Sequence, residues 1–246
     1  MTKYNWQIKL AVSLILVSIF LHVIQYLIYG NFTDIIKLFL SALAFLPLQV
    51  LLVGIIFQKT LDDREKRNRI RKIYMLIGAF FSDTGTDVLR FFAKYDADSS
   101  IIKNELLVKS DWTQSDFRNT AKNLGEHEFK VQIKDMDLVS FKIMMKLQKE
   151  TMVKLLENPI LVEHETFSEL LLAVFHVEEE LAGRKDVENL SKPDSAHIAL
   201  DMQRAYRLMF YEWLFYMEHL RSQYPYLFSF AMRVNPFDPD ATVEIR

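Results

Sequence analysis

"SIFLHVIQYLIYG", Ser18 to Gly30, is apolar almost throughout, yet it carries His22 and Gln25 in its middle. From Ile8 to Tyr29 the chain has no Asp, Glu or Arg, and Lys9 is the one charge. About 20 apolar residues are enough to cross the hydrocarbon of a bilayer as a helix, so this run predicts a span over residues 8–29. Leu38 to Phe57 is free of charge and predicts a second span over 38–57. The short link "GNFTDIIK" makes the two runs antiparallel neighbours, a transmembrane hairpin over residues 1–58. A signal peptide fits less well, because the apolar run is long, no small-x-small site follows it, and a second hydrophobic run starts at once.

The flanks give the orientation. In "KTLDDREKRNRIRK", Lys59 to Lys72, seven basic residues stand against three acidic ones. Basic residues near the end of a span favour the cytoplasmic side. Both termini and the main domain are therefore expected in the cytoplasm, on a two-span protein of the plasma membrane or, in a prokaryote, the inner membrane. Arg64, Lys66, Arg67, Arg69, Arg71 and Lys72 are candidates for contact with anionic headgroups. Beyond this run charge is nearly balanced, which excludes the basic footprint of a nucleic-acid binder. Cysteine is absent, so there is no disulfide, no thiolate nucleophile and no Cys-ligated metal.

The remaining chain, roughly 170 residues, is long enough for a domain with its own core, and its apolar residues recur at helical spacing. We expect an all-α protein with a basic juxtamembrane segment and connecting helix over 59–95, a helical bundle over 96–234, and a polar tail over 235–246. Ile70, Ile73, Tyr74, Ile77 and Phe81 form one stripe. "SDTGTD" is a candidate break, with Thr84 or Thr86 as caps, and a helix continuous through it is the alternative. Asp83, Gly85 and Asp87 lack the remaining positions of a calcium loop. A short helix is expected over Gln114–Asn123, and "HEFKVQI" reads as extended. Long helices are expected from Asp135 or Asp137 to Leu156, over His164–Ala182 and over Ala196–Arg221, the last preceded by Pro193 and Asp194. Aromatic residues surround this last helix, implying burial on several sides.

Candidate chemistry lies on the last two long helices. His176 and Glu180 are four apart, as are His197 and Asp201, close enough to meet on a helix surface. His and carboxylate at such offsets is how helical bundles hold metal ions, although the paired Glu-x-x-His pattern of di-metal bundles is missing. Glu212, in the apolar run "LMFYEWLFYM", must be paired or protonated if buried, with Arg204, Arg207, His219 or a tyrosine hydroxyl as candidate partners. Together, His176, Glu180, His197, Asp201, Glu212 and His219 form a candidate polar pocket. No organic cofactor is expected, and a metal ion is admitted only at this set. Phosphate-binding, dinucleotide, GxSxG and HExxH motifs are absent. Arg118 and His127 alone do not make a nuclease site.

Ser18, His22, Gln25 and Tyr29 are spaced 4, 3 and 4 and share one face of the first span. Gln49 and Pro47 lie in the second. Intramembrane polar residues tend to face protein or water. The leading expectation is thus a homo-oligomeric membrane assembly, a channel or pore organised by its cytosolic domain. A membrane-tethered scaffold or sensor module is the first alternative, and a membrane-bound metalloenzyme the second.

Overall fold

The computed structural model describes residues 3–97, 102, 105–125, 127 and 129–244. The protein is all-helical, and no strand occurs among the described residues. The chain divides into two units, one ending at Lys66 and one starting at Arg67.

In the first unit, α1 runs over Lys3–Tyr29, and α2, which covers Phe32–Phe80, begins after Gly30. Gly30 has φ of +61°, a left-handed conformation that glycine adopts without a Cβ penalty. From Lys9 to Thr60 no described side chain is buried, and only Ile24, Gln25, Asp34 and Ile35 are half-buried. Leu27 is 75% exposed and Phe20 64%. Both helices are long and apolar enough to cross a membrane.

In the second unit, Ile73, Ile77 and Phe80 of α2 are buried in the domain's core. This stretch is thus a wall of the bundle as well as the connecting helix the sequence suggested. "SDTGTD" does not break the chain. Phe81–Gly85 forms a π-helical turn, and the helix resumes as α3, Thr86–Lys94. Thr84 and Thr86 do not act as caps. Thr86 Oγ1 donates to the Phe81 carbonyl at 2.6 Å, and Thr84 Oγ1 donates to Gln148 Oε1 at 2.9 Å.

Next come α4 (Gln114–Asn123), α5 (Leu138–Leu156), the single turn α6 (Pro159–Val162), α7 (Glu165–Gly183), α8 (Lys192–Gln223) and α9 (Pro225–Arg233). Each start has a local cause. Thr113 and Asp116 form a capping box on α4, and Asp137 Oδ1 accepts from the Ser140 amide at 3.0 Å on α5. His164 Nδ1 accepts from the Phe167 amide at 3.3 Å on α7. The last long helix begins earlier than its apolar pattern suggested. Ser191 is its cap, and Pro193 and Asp194 lie inside the first turn, where a proline lacks no needed N–H. Of "HEFKVQI", where Glu128 lies outside the described residues, Gln132 is extended and Val131 makes an isolated antiparallel bridge with Asp96; no strand forms among the described residues.

The core is built around α8, which packs most extensively against α7, and α5 also packs against α7. Met202, Tyr206, Met209, Phe210 and Trp213 of α8 meet Leu170, Val174 and Val177 of α7 within one buried cluster. Burying each such side chain is worth about 1.5–3 kcal/mol. Phe215 departs from the pattern at 43% exposed. The segment after Arg233 is not a polar tail throughout. Asn235 and Phe237 are buried, Asn235 Nδ2 donates to the Leu106 carbonyl at 2.8 Å, and Phe237 packs edge-on against Trp213.

Candidate metal centre

Helix α7 ends at Gly183 and α8 begins at Lys192, so only a short loop separates them. An antiparallel pair joined this tightly sets the last turns of the first helix against the first turns of the second. His176 and Glu180 thereby meet His197 and Asp201. His176 Nε2 lies 3.5 Å from Asp201 Oδ2 and 3.9 Å from Glu180 Oε1. His197 Nε2 lies 3.3 Å from Asp201 Oδ2 and 3.7 Å from Glu180 Oε2. One ligand atom each from His176, His197 and Asp201 fall within 4.8 Å of one another.

Burial grades the set. Asp201 is buried, His176 and Glu180 are half-buried, and His197 is exposed. Asp201 Oδ2 is shielded from solvent and makes no hydrogen bond, despite two imidazole nitrogens within 3.5 Å. A shielded carboxylate oxygen without a donor is costly.

Arg184, which sequence reading passed over, organises the outer side. Its Nη1 donates to Glu180 Oε2 at 2.5 Å, its Nη2 donates to Asp194 Oδ1 at 2.6 Å, and Lys142 Nζ donates to its carbonyl at 2.6 Å. These bonds tie the end of α7 to the first turn of α8. The Arg184 hydrogen bond holds the Glu180 carboxyl below its ordinary range, with the nearby histidines as further causes. The same guanidinium lowers Asp194. A carboxylate fixed in its charged form by a neighbour is how outer residues prepare a metal ligand. The only sequence signal for Arg184 was a basic residue directly after a helix-ending glycine.

The other predicted residues lie elsewhere. Glu212 is buried further along α8, where it accepts from Thr166 Oγ1 beside His164. None of the partners first considered for it holds it. His219 stacks on Tyr74 with ring centroids 3.7 Å apart and planes 3° apart, and burial lowers its basicity. In α1, His22 Nδ1 lies 2.9 Å from the Ser18 carbonyl, Ser18 is exposed and Gln25 half-buried. Gln49 on α2 is exposed, and the side chain of Tyr29 lies outside the described residues. Arg64, Lys66, Arg67, Arg69, Arg71 and Lys72 are all exposed on α2, and Arg69 pairs with Glu163.

Two family descriptions match the chain. "MJ1433, N-terminal helical domain" covers residues 2–61, and "Uncharacterized protein MJ1433, C-terminal helical domain" covers 69–233. The chain belongs to the MJ1433 family. It is 39% identical over 238 residues to the protein called "Uncharacterized protein MJ1433" of Methanocaldococcus jannaschii, covering 97% of this chain and 96% of that one. No solved structure matches. Residues 69–233 of this chain, which match the C-terminal helical domain, include His176, Glu180, His197 and Asp201.

Proposed function

We propose that this protein is a membrane-tethered binding or sensor module whose helical domain holds one divalent transition-metal ion between α7 and α8. The observation that carries the reading is the convergence of His176 and His197 on the buried, unbonded Oδ2 of Asp201. A tetrahedral ion with ligand bonds of about 2.0–2.1 Å separates its ligands by roughly 3.3 Å. The His176–Asp201 and His197–Asp201 separations of 3.5 and 3.3 Å match that edge. Glu180, bonded to Arg184, stands beside these three with its oxygens 3.9 and 3.7 Å from the two imidazoles. Two imidazoles with carboxylate suit a borderline ion such as zinc or iron(II).

An ion here would join α7 to α8, so occupancy would stiffen the seam along which the domain's two principal helices pack. That is the property of a sensor. The exposed apolar surfaces of α1 and α2 support membrane anchoring, and the basic residues after the second span support a cytoplasmic domain near anionic lipid. The test is metal analysis of full-length protein purified in detergent without chelator. One zinc or iron per chain, lost in H176A/H197A, is the expected result. Folded protein that takes up neither ion would overturn the reading.

A homo-oligomeric membrane assembly, including a channel, is the second reading. It is supported by the single polar face of α1, where Ser18, His22 and Gln25 fall on one side. His22 bonds the Ser18 carbonyl of its own helix through Nδ1, which leaves its Nε2 and the Gln25 amide as hydrogen-bonding groups for a neighbour. Mass measurement in mild detergent checks it, and a monomer would exclude it.

A further inference from the structure

We infer that the cleft beside the metal cluster takes a small phosphate-bearing anion, held at one end by the bound ion and at the other by Arg204 and Arg207. The inference rests on the metal reading for its first anchor. Alongside the cluster, His176 and Asp201 line a hollow of about 240 Å³ that also meets Glu169 and Arg204. Those last two residues also line a wider hollow of about 800 Å³, reaching His127, Lys130, Gln203 and Arg207. Glu169 and Arg204 line both hollows, so the two adjoin. The wider part has the volume of a small-molecule site.

Its charge points to the ligand. Arg204 and Arg207 are three apart on α8, both are exposed, and neither has an ion-pair partner among the described residues. Lys130 also lines the wider hollow, where Glu169 is the carboxylate among the described residues. Two guanidinium groups one helical turn apart suit an anionic guest. Guanidinium forks bind phosphate oxygens in pairs, and unlike a lysine they keep their geometry. Phosphate oxygens also ligate divalent ions, so one guest can satisfy both ends. The phosphate could be that of a soluble compound or of a lipid headgroup, since the chemistry on this wall is the same.

The experiment uses full-length, zinc-loaded protein in detergent, titrated calorimetrically with inorganic phosphate and with short-chain phosphatidic acid. Short-chain phosphatidylcholine is the control. Binding of a phosphate probe is expected, weakened roughly tenfold or more in R204A/R207A and in metal-free protein. Arg207→Lys, which keeps the charge but loses the fork, is expected to weaken it as well. Tighter binding of phosphatidic acid than of phosphate assigns the guest to lipid, and the reverse assigns it to a soluble phosphate. Metal content is measured on the same samples. Zinc-loaded wild type that binds neither probe, or natively melting R204A/R207A that binds as wild type does, overturns this inference and leaves the metal reading standing. Folded protein that takes no metal overturns both.

Discussion

His176 on α7 stands 3.5 Å from Asp201 on α8, across the seam between two helices. His197, one turn before Asp201 on its own helix, reaches the same oxygen at 3.3 Å. Because only the folded domain holds these groups together, an ion bound there stabilises the native state. With zinc at a hundred times its dissociation constant the gain is about 2.7 kcal/mol. For a domain of this size that raises the melting temperature by roughly 5–10 °C. D201N, which keeps the size of the side chain but loses its charge, is expected to abolish most of the shift. An equal shift in D201N would remove Asp201 from the site.

Glu212 gives a dependence on pH. Burial raises its carboxyl above the ordinary value of 4.5, while the Thr166 hydrogen bond and His164 pull the other way. A raised acid binds its proton more tightly in the folded state. Its contribution to stability is therefore complete below about 4.5 and is lost as pH rises through the raised value. E212Q keeps an acceptor for Thr166 and carries no charge. It is expected to match wild type in acid and to exceed it near neutrality, as measured by thermal melts in the two buffers. A constant difference between the proteins would count against this account.

Lys149 Nζ bonds Glu178 Oε2 at 2.6 Å, and the Glu178 side chain is only 2% exposed against 42% for Lys149. K149M leaves a buried carboxylate without its donor, at a cost of about 1.5–3 kcal/mol, toward the lower end because water reaches the lysine side. K149M/E178L removes both charges and should recover much of that loss. Denaturant titration of the two variants decides it. If the double variant is no better than the single one, the pair does not act as a unit.

Gly85 closes the π-helical turn. A Cβ there would lie 2.6 Å from a Phe80 ring carbon and 2.7 Å from one of Phe81. Both rings are buried, so neither has room to move aside. G85A is expected to cost about 1–3 kcal/mol, although alanine is ordinarily the better helix former. An unchanged or raised melting temperature would show that the turn reverts to a regular helix.

The sequence by itself determined the helical class, the two apolar runs and most helix positions. Periodicity and caps are local, and Asp137, His164 and Gly183 mark boundaries where they stand. It also gave the pairs His176–Glu180 and His197–Asp201, because a four-residue offset fixes neighbours on one helix. Tertiary structure decided that the two pairs face each other, and that Glu212 and His219 go to other partners, since which faces meet depends on how α7 and α8 pack. Only the fold could show that Arg184 spans from Glu180 to Asp194, or that Asn235 and Phe237 return to the core. The π-helical turn was equally out of reach, because the rings of Phe80 and Phe81 that crowd Gly85 take their places from packing.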